Sequence, residues 1–364
     1  MKEILKYAIE KNASDIHITV GISVWVRVKG EFKKYIGKTV HYSDVDGFVE
    51  DSLPELLHEY IEFREKRRTE PIDGAFEFIN RRFRINIYRS MNGINIALRL
   101  LSDKILPLDK LYLPDATKCF TEVANGLIVV VGTTGSGKST TLAAMIDAIN
   151  HSRSENILTI EQPIEYIHYP DLCRIEQMEV GVHVESFEMA TIAAMRQDPN
   201  IILIGEMRDL PTIQNAITLA ETGHVVYGTL HAKSVTETPD RMIDVFPAKQ
   251  QEQIRMQLAN VLKGVIHQTL IRTKNCGVAP LIEQLAVDDV VSAMILQKQK
   301  ANAIRDYLRG KSAYGNVHIA DNAAWHVKSG RTDIEPLKTI LSADDYNMAK
   351  AIVANLSVRG GFSG

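Results

Sequence analysis

The sequence predicts an α/β fold: buried strands alternating with helices in the middle of the chain, a small α+β domain before them and a mostly helical region after them. Three observations carry this. The stretch 127–141, LIVVVGTTGSGKSTT, reads as an apolar strand, a glycine-rich loop and a helix. Short runs of β-branched residues and leucine recur at 156–160, 201–204 and 225–229, with room for helices between them. Residues 1–101 instead alternate polar and apolar side chains over several short segments.

In that first part, Ile4, Leu5, Ala8 and Ile9 fall at helical spacing and Lys11-Asn12 reads as the helix stop. Residues 13–18 and 24–30 read as strands, with a hairpin at Gly30-Glu31. Ser14, Asp15 and His17 read as strand-edge and turn residues. Residues 43–68 read as helical, ending in a charged, solvated face at 62–68. Residues 75–79, 81–88 and 95–100 read as three antiparallel strands. The expected division is a domain at 1–101, a linker at 102–117 marked by Pro107 and Pro114, an α/β core at 118–280 and a helical region at 281–364. Its tail, Gly360-Gly361-Phe362-Ser363-Gly364, is expected to be disordered.

The loop Gly132-Thr133-Thr134-Gly135-Ser136-Gly137-Lys138-Ser139 satisfies G-x-x-x-x-G-K-[ST] at every fixed position, and Thr140 continues into the helix. The glycines let the backbone bend around a phosphate chain and aim N–H groups inward. The helix N-terminus adds partial positive charge. Lys138 would neutralise β- and γ-phosphates, and the Ser139 hydroxyl would hold Mg²⁺. The motif implies a nucleoside triphosphate.

Three further stretches supply candidates. Residues 201–206, IILIGE, form an apolar strand expected beside the phosphate-loop strand, ending in Glu206, an acid placed to hold Mg²⁺ or orient water. Residues 159–166, TIEQPIEY, also end a strand, and carboxylates at the carboxyl edge of a parallel sheet lie where ligands bind. Glu161 or Glu165 would polarise the attacking water or support the metal. His224 and His231 bracket the strand at 225–229, where an imidazole can hydrogen-bond a γ-phosphate or relay its presence to a neighbour.

The formal charge of −3 and the absence of a basic, aromatic-interleaved stretch argue against a nucleic-acid partner. Cys119, Cys173 and Cys276 are isolated, which argues against a disulfide framework or a zinc site and fits a reducing compartment. No run approaches the roughly eighteen apolar residues of a membrane span, and the amphipathic, charged N-terminus is unlike a signal peptide. The reading is of a cytoplasmic protein whose membrane role would run through a partner.

Taken together, ASDIHI at 13–18, GTTGSGKSTT at 132–141, TIEQPIEY at 159–166, IILIGEMRD at 201–209 and AETGHVVYGTLHA at 220–232 resemble the secretion ATPase superfamily, and within it the PilT-type twitching-motility retraction ATPases. The resemblance covers about residues 1–272. It implies a hexameric ring motor, peripheral to the inner face of the cytoplasmic membrane and working on a platform protein of a type IV pilus machine. Each subunit would pair a PAS-like N-terminal domain with a RecA-like ATPase core that binds ATP and Mg²⁺. By resemblance, 159–166 is the Asp box and Glu165 the general base. Glu206 is the Walker B glutamate acting through Mg²⁺, and His224 and His231 form the His box. Arg84 and Arg99 are the arginines sent to the γ-phosphate, with Arg208 a weaker interface candidate. Metal support would come from Ser139, Glu206 and Glu161.

The assembly-type relatives carry a long N-terminal extension and a four-cysteine zinc module, neither of which is in this sequence. Two departures stand out: Gln162 replaces the usual Asp of the Asp box, and 289–296, DVVSAMIL, lacks the Arg-Asn pair of an AIRNLI-like segment. The alternatives are a motor for conjugation, type IV secretion or pilus assembly, and more distantly a RecA-like nucleic-acid motor or a nucleotide-bound assembly factor that does not hydrolyse.

Overall fold

The computed structural model describes residues 1–28, 30–101, 104–310 and 315–357. Ser102 and Asp103 of the expected linker, and the glycine-rich tail, lie outside the described residues. The chain forms two packed units, the first made of residues 1–105 with two excursions, 162–167 and 179–185, and the second of the remainder.

In the first unit, helix α1 (Lys2–Glu10) buries Ile4, Leu5 and Ala8 and stops where Asn12 takes a left-handed φ of 50°. Strands β1 (Ala13–Thr19) and β2 (Ser23–Val28) turn Ile16, Ile18, Val24 and Val26 inward, as their alternation requires. Strand β3 (Glu31–Lys34) is an exposed edge. The stretch expected as one helix is two, α2 (Tyr42–Ser52) and α3 (Leu57–Arg64). Pro54 has no N–H to continue the ladder, and Leu53 leaves the helical region at φ −142°, ψ 49°. Strands β4 (Ile72–Phe78), β5 (Arg81–Ser90) and β6 (Gly93–Leu100) complete an antiparallel sheet in the order β3-β2-β1-β6-β5-β4. Helices and sheet share one apolar core, in which Phe76 stacks on Phe83 at 5.2 Å and meets Phe48 edge-on. The opposite face of the sheet carries Arg27, Asp15, Arg99 and Arg84 in one registered row across β2, β1, β6 and β5.

The second unit is built on a seven-stranded sheet. Its strands are β7 (Gly126–Val131), β8 (Asn156–Glu161), β9 (Arg174–Glu179), β10 (Ile201–Ile204), β11 (Val225–Leu230), β12 (Leu262–Arg272) and β13 (Val278–Ala286), in the order β13-β12-β7-β11-β10-β8-β9. β12, β7, β11, β10 and β8 run parallel, and β13 pairs antiparallel with β12. Every residue of β7, β10 and β11 is buried, which is why these strands are continuous apolar runs in the sequence. Helices α4 (Lys138–Asn150), α5 (Phe187–Ala194), α6 (Leu210–Glu221), α7 (Thr238–Ile243) and α8 (Ala248–Val261) fill the crossovers. β11 separates β10 from β7, so the strand leading to Glu206 is not the immediate neighbour of the phosphate-loop strand, contrary to the sequence reading.

Strands β9, β12 and β13 are additions to the sequence reading, and β13 carries the sheet past residue 280. At the α8–β12 junction Leu262 turns the chain, at ψ 118°, and Gly264 follows at a shift in the register with β7; a single glycine inside one long apolar run is a weak sign that helix passes into strand. Beyond β13 the described residues are helical: α9 (Asp289–Leu296), α10 (Ala301–Gly310), α11 (Ile319–Lys328) and α12 (Ala343–Ser357). α11 covers β13, with Asn322 accepting the Ile282 N–H at 2.9 Å and His326 Nε2 meeting the Pro280 carbonyl at 3.0 Å.

Asp345, at the start of α12, is buried. It pairs with Arg305 and Arg309 of α10 and accepts the Ser342 hydroxyl at 2.6 Å. Replacing it by alanine leaves two part-buried guanidinium groups without their carboxylate, a loss of about 3–5 kcal/mol. Asp345→Ala is expected to lower the calorimetric unfolding temperature by several degrees, and an unchanged transition would show that the cluster does not hold α10 to α12.

Candidate active site

The phosphate loop sits between β7 and α4, and its conformation is one only glycine supports. Gly132, Gly135 and Gly137 have φ of 148°, 77° and 87°. A Cβ on Gly132 would lie 2.3 Å from the Gln268 carbonyl oxygen, and one on Gly137 would lie 2.7 Å from the Gln268 amide nitrogen. Thr133, Thr134 and Gly135 are exposed at the tip, while Ser136 is buried. The Lys138 ammonium donates to the carbonyls of Gly132 and Thr133 at 3.0 Å each. Ser139 and Thr140 follow Lys138 in the first turn of α4.

Gln268 of β12 braces this loop. Its Nε2 donates to the Ser136 carbonyl at 2.7 Å, and its Oε1 accepts the Thr141 hydroxyl at 2.7 Å. The side chain is 2% exposed, so both bonds are shielded from water. No motif marks this residue in the sequence; the only signal is an amide inside the strand-like run VIHQTLI.

The carboxyl edge of the sheet adds the acid. Gly205 and Glu206 leave β10 between its neighbours: the Gly205 N–H donates to Ile160 O at 2.7 Å, and the Thr229 hydroxyl donates to Gly205 O at 2.5 Å. Glu206 receives Arg208 at 2.5 Å and His231 Nε2 at 3.1 Å. His231 Nδ1 faces the Gly132 carbonyl at 3.1 Å, so one imidazole links the acid to the first residue of the phosphate loop. Partial burial alone would raise the Glu206 pKa, but the Arg208 hydrogen bond and the charges of Arg208, His231 and Lys138 outweigh it and hold the carboxyl below its usual range. Glu161, ending β8, accepts the Thr159 hydroxyl at 2.8 Å and the Gln177 amide at 3.3 Å. An open cavity of about 390 Å³ is lined by Gly132, Thr133, His231, Lys233, Glu237 and Arg241. No group of three or more His, Cys, Asp or Glu side chains suited to a metal occurs among the described residues; a metal held by Ser139 and one or two carboxylates would complete its shell with the nucleotide's own oxygens.

His224 is not part of this cluster. It lies at the amino end of β11, seven residues before His231 and therefore roughly 20 Å away along the strand. Its Nδ1 meets the Leu219 carbonyl at 2.9 Å and the Thr222 hydroxyl at 3.1 Å, which ties down the end of α6. Of the two histidines expected to contact a γ-phosphate or relay its presence to a neighbour, the structure brings only His231 to the phosphate loop of its own chain: a strand with histidines at its two ends presents them at opposite edges of the sheet.

Arg84, Arg99 and Glu165 belong to the first unit. Arg84 and Arg99 are directly opposed across β5 and β6, an arrangement of like charges that costs stability in a sheet. Asp15 offsets it by accepting Arg99 at 3.0 Å and pairing with Arg27 at 3.3 Å, and Asp73 lies 3.7 Å from Arg84. The row keeps an excess of positive charge.

A family model described as type II/IV secretion system protein matches residues 1–345. The chain belongs to that family. It is 38% identical over 302 residues to the type IV pilus retraction ATPase PilT of Pseudomonas aeruginosa, covering 80% of this chain and 86% of that one. Among solved structures it is similar to the pilus retraction motor PilT with bound ADP, at a TM-score of 0.80 and 34% identity over 96% of both chains. It is also similar to the ATPase DotB of Legionella pneumophila, at 0.77 and 26% identity, covering 96% of this chain and 94% of that one. This secretion ATPase is an ATP-hydrolysing, nucleotide-binding enzyme, and its α/β, RecA-like fold is the one the sequence predicted.

The phosphate loop fits a nucleotide on its own geometry. The Ser136 hydroxyl is buried with no protein partner among the described residues, and the three left-handed glycines open the backbone N–H groups of the loop. Gln268→Leu would strand the Ser136 carbonyl and the Thr141 hydroxyl, each worth about 1–3 kcal/mol when buried and unpaired. It is expected to weaken nucleotide binding about tenfold or more in a titration with a fluorescent ATP analogue; unchanged affinity would show that the loop holds its shape without β12. Removing Arg208 takes away the hydrogen bond that lowers the Glu206 pKa, so Arg208→Ala is expected to move the acid limb of the turnover–pH profile to higher pH.

Proposed function

We propose that this chain is one subunit of a homohexameric, ATP-driven motor that powers retraction and disassembly of a type IV pilus. The observation that carries the reading is the joined cluster of phosphate loop, His231 and Glu206 in a chain 38% identical to a pilus retraction ATPase. Ser139 and Glu206, with Glu161, would hold Mg²⁺, which would supply charge neutralisation at the phosphates. Lys138 and the loop N–H groups bind and orient the β- and γ-phosphates. Glu165 takes the proton of the attacking water, with Glu206 and His231 ordering the phosphate end of the site. Arg84 and Arg99 stabilise charge on the transferred phosphoryl group, which is why an opposed arginine pair is kept at some cost to the sheet.

The ring would work at the inner face of the cytoplasmic membrane through a platform protein; no described helix is long and apolar enough to cross a membrane. A second reading, a motor for conjugative transfer or secretion, draws on α9, where DVVSAMIL stands without the Arg-Asn pair expected of a retraction motor. The two separate in the source cell. With Lys138→Ala replacing the native chain, a retraction motor leaves pili that accumulate and never shorten. A cell with no pili would indicate an assembly motor, and normal pili with lost transfer would support the second reading. In the purified protein, Glu165→Gln is expected to bind ATP normally and lose turnover by orders of magnitude.

A further inference from the structure

Within the first unit, one residue of the Asp-box segment has both of its backbone polar groups held by a single ion pair. Ile164 donates its N–H to Glu179 Oε2 at 3.1 Å, and its carbonyl accepts Arg82 Nε at 2.8 Å. Arg82 closes the ring by donating a second guanidinium nitrogen to the same Glu179 oxygen. Glu179 is 4% exposed and is itself fixed from behind: its N–H donates to His183 Nδ1 at 2.9 Å, and its carbonyl accepts the His183 N–H at 2.8 Å. The Ile164 side chain is buried as well. The next residue is Glu165.

We propose that the Arg82–Glu179 pair is a positioning clasp for the catalytic carboxylate, presenting Glu165 in one orientation by immobilising the peptide groups that flank Ile164. The proposal rests on the reading of Glu165 as general base. A largely buried ion pair of this kind adds little net stability over an apolar replacement, so stability alone does not account for it. Geometry supplies one. The planar fork of arginine can hold a carbonyl and a carboxylate at once in fixed directions, which a lysine ammonium cannot specify. The Cα of Glu165 lies one peptide unit, about 3.8 Å, from the clamped residue, so little slack separates clasp and base. A displacement of about 1 Å at a reacting group costs about a hundredfold in rate. Arg82 is two residues from Arg84 on β5 and so shares its face of the sheet. The holder of the base and a charge-stabilising arginine thus belong to one rigid strand.

The test uses the full chain with Arg82→Met, Arg82→Lys, Glu179→Gln and Glu165→Gln, comparing nucleotide Kd, KM, kcat with its pH profile, and unfolding temperature. The clasp predicts that Arg82→Met loses about 10–100-fold in kcat with Kd and KM little changed. Arg82→Lys should recover only part of the loss, and Arg82→Met with Glu179→Gln should be clearly less than additive. Wild-type kcat in Arg82→Met beside an inactive Glu165→Gln overturns the clasp alone. Full turnover in Glu165→Gln removes the base assignment and the clasp with it. A parallel fall of kcat, nucleotide affinity and unfolding temperature in both Arg82→Lys and Glu179→Gln would reduce the pair to a structural role.

Discussion

The bend of the backbone from β7 into α4 is the constraint on which the second unit depends. A chain that must expose its N–H groups to an anion has to give up regular pairing for several residues, and the glycines at 132, 135 and 137 make that bend accessible. Within the loop, Lys138 ties back the Gly132 and Thr133 carbonyls. The bend is held from outside by Gln268, which joins the Ser136 carbonyl to the Thr141 hydroxyl, and by His231, which faces the Gly132 carbonyl. One support lies in β12 and the other directly follows β11, the two strands that flank β7. The order of the sheet is therefore part of the binding site: a phosphate loop between two strands is braced from two directions.

His231 also gives the cluster its chemical logic. It touches the loop through one nitrogen and Glu206 through the other, so a change at the phosphate end can be felt by the acid within one imidazole's width. The low pKa of Glu206 keeps that acid ionised, the form needed for a metal or an ordered water. The first unit repeats the theme with opposite sign. Its polar face carries Arg27, Arg99 and Arg84 against Asp15 and Asp73, an excess of positive charge, while its apolar side stays packed on α1, α2 and α3.

The stretch 43–68 had helical spacing throughout, yet Pro54 breaks it, because spacing reports which face is apolar and not whether every N–H is available. β12 is not evident in the sequence because α8 runs into it with only Gly264 as punctuation, and Gln268 is hidden along with the strand. His224 and His231 look alike in sequence, as a pair around a buried strand; the parallel direction of that strand puts one at the ligand edge and the other at the far edge.

By itself the sequence determined the elements whose cause is local or nearest-neighbour: the phosphate loop, whose glycines answer to φ; the buried strands, whose apolar runs answer to burial on both faces; and the family, whose motifs are contiguous words. The tertiary structure decided everything that needs two distant segments to meet. Gln268 reaches Ser136 across 132 positions, and Arg82 reaches Glu179 across 97. A polar side chain inside an apolar run has no visible partner until strand order is known, because hydrogen bonds are directional and short. No period or motif in a single chain encodes which two groups will lie within 3 Å.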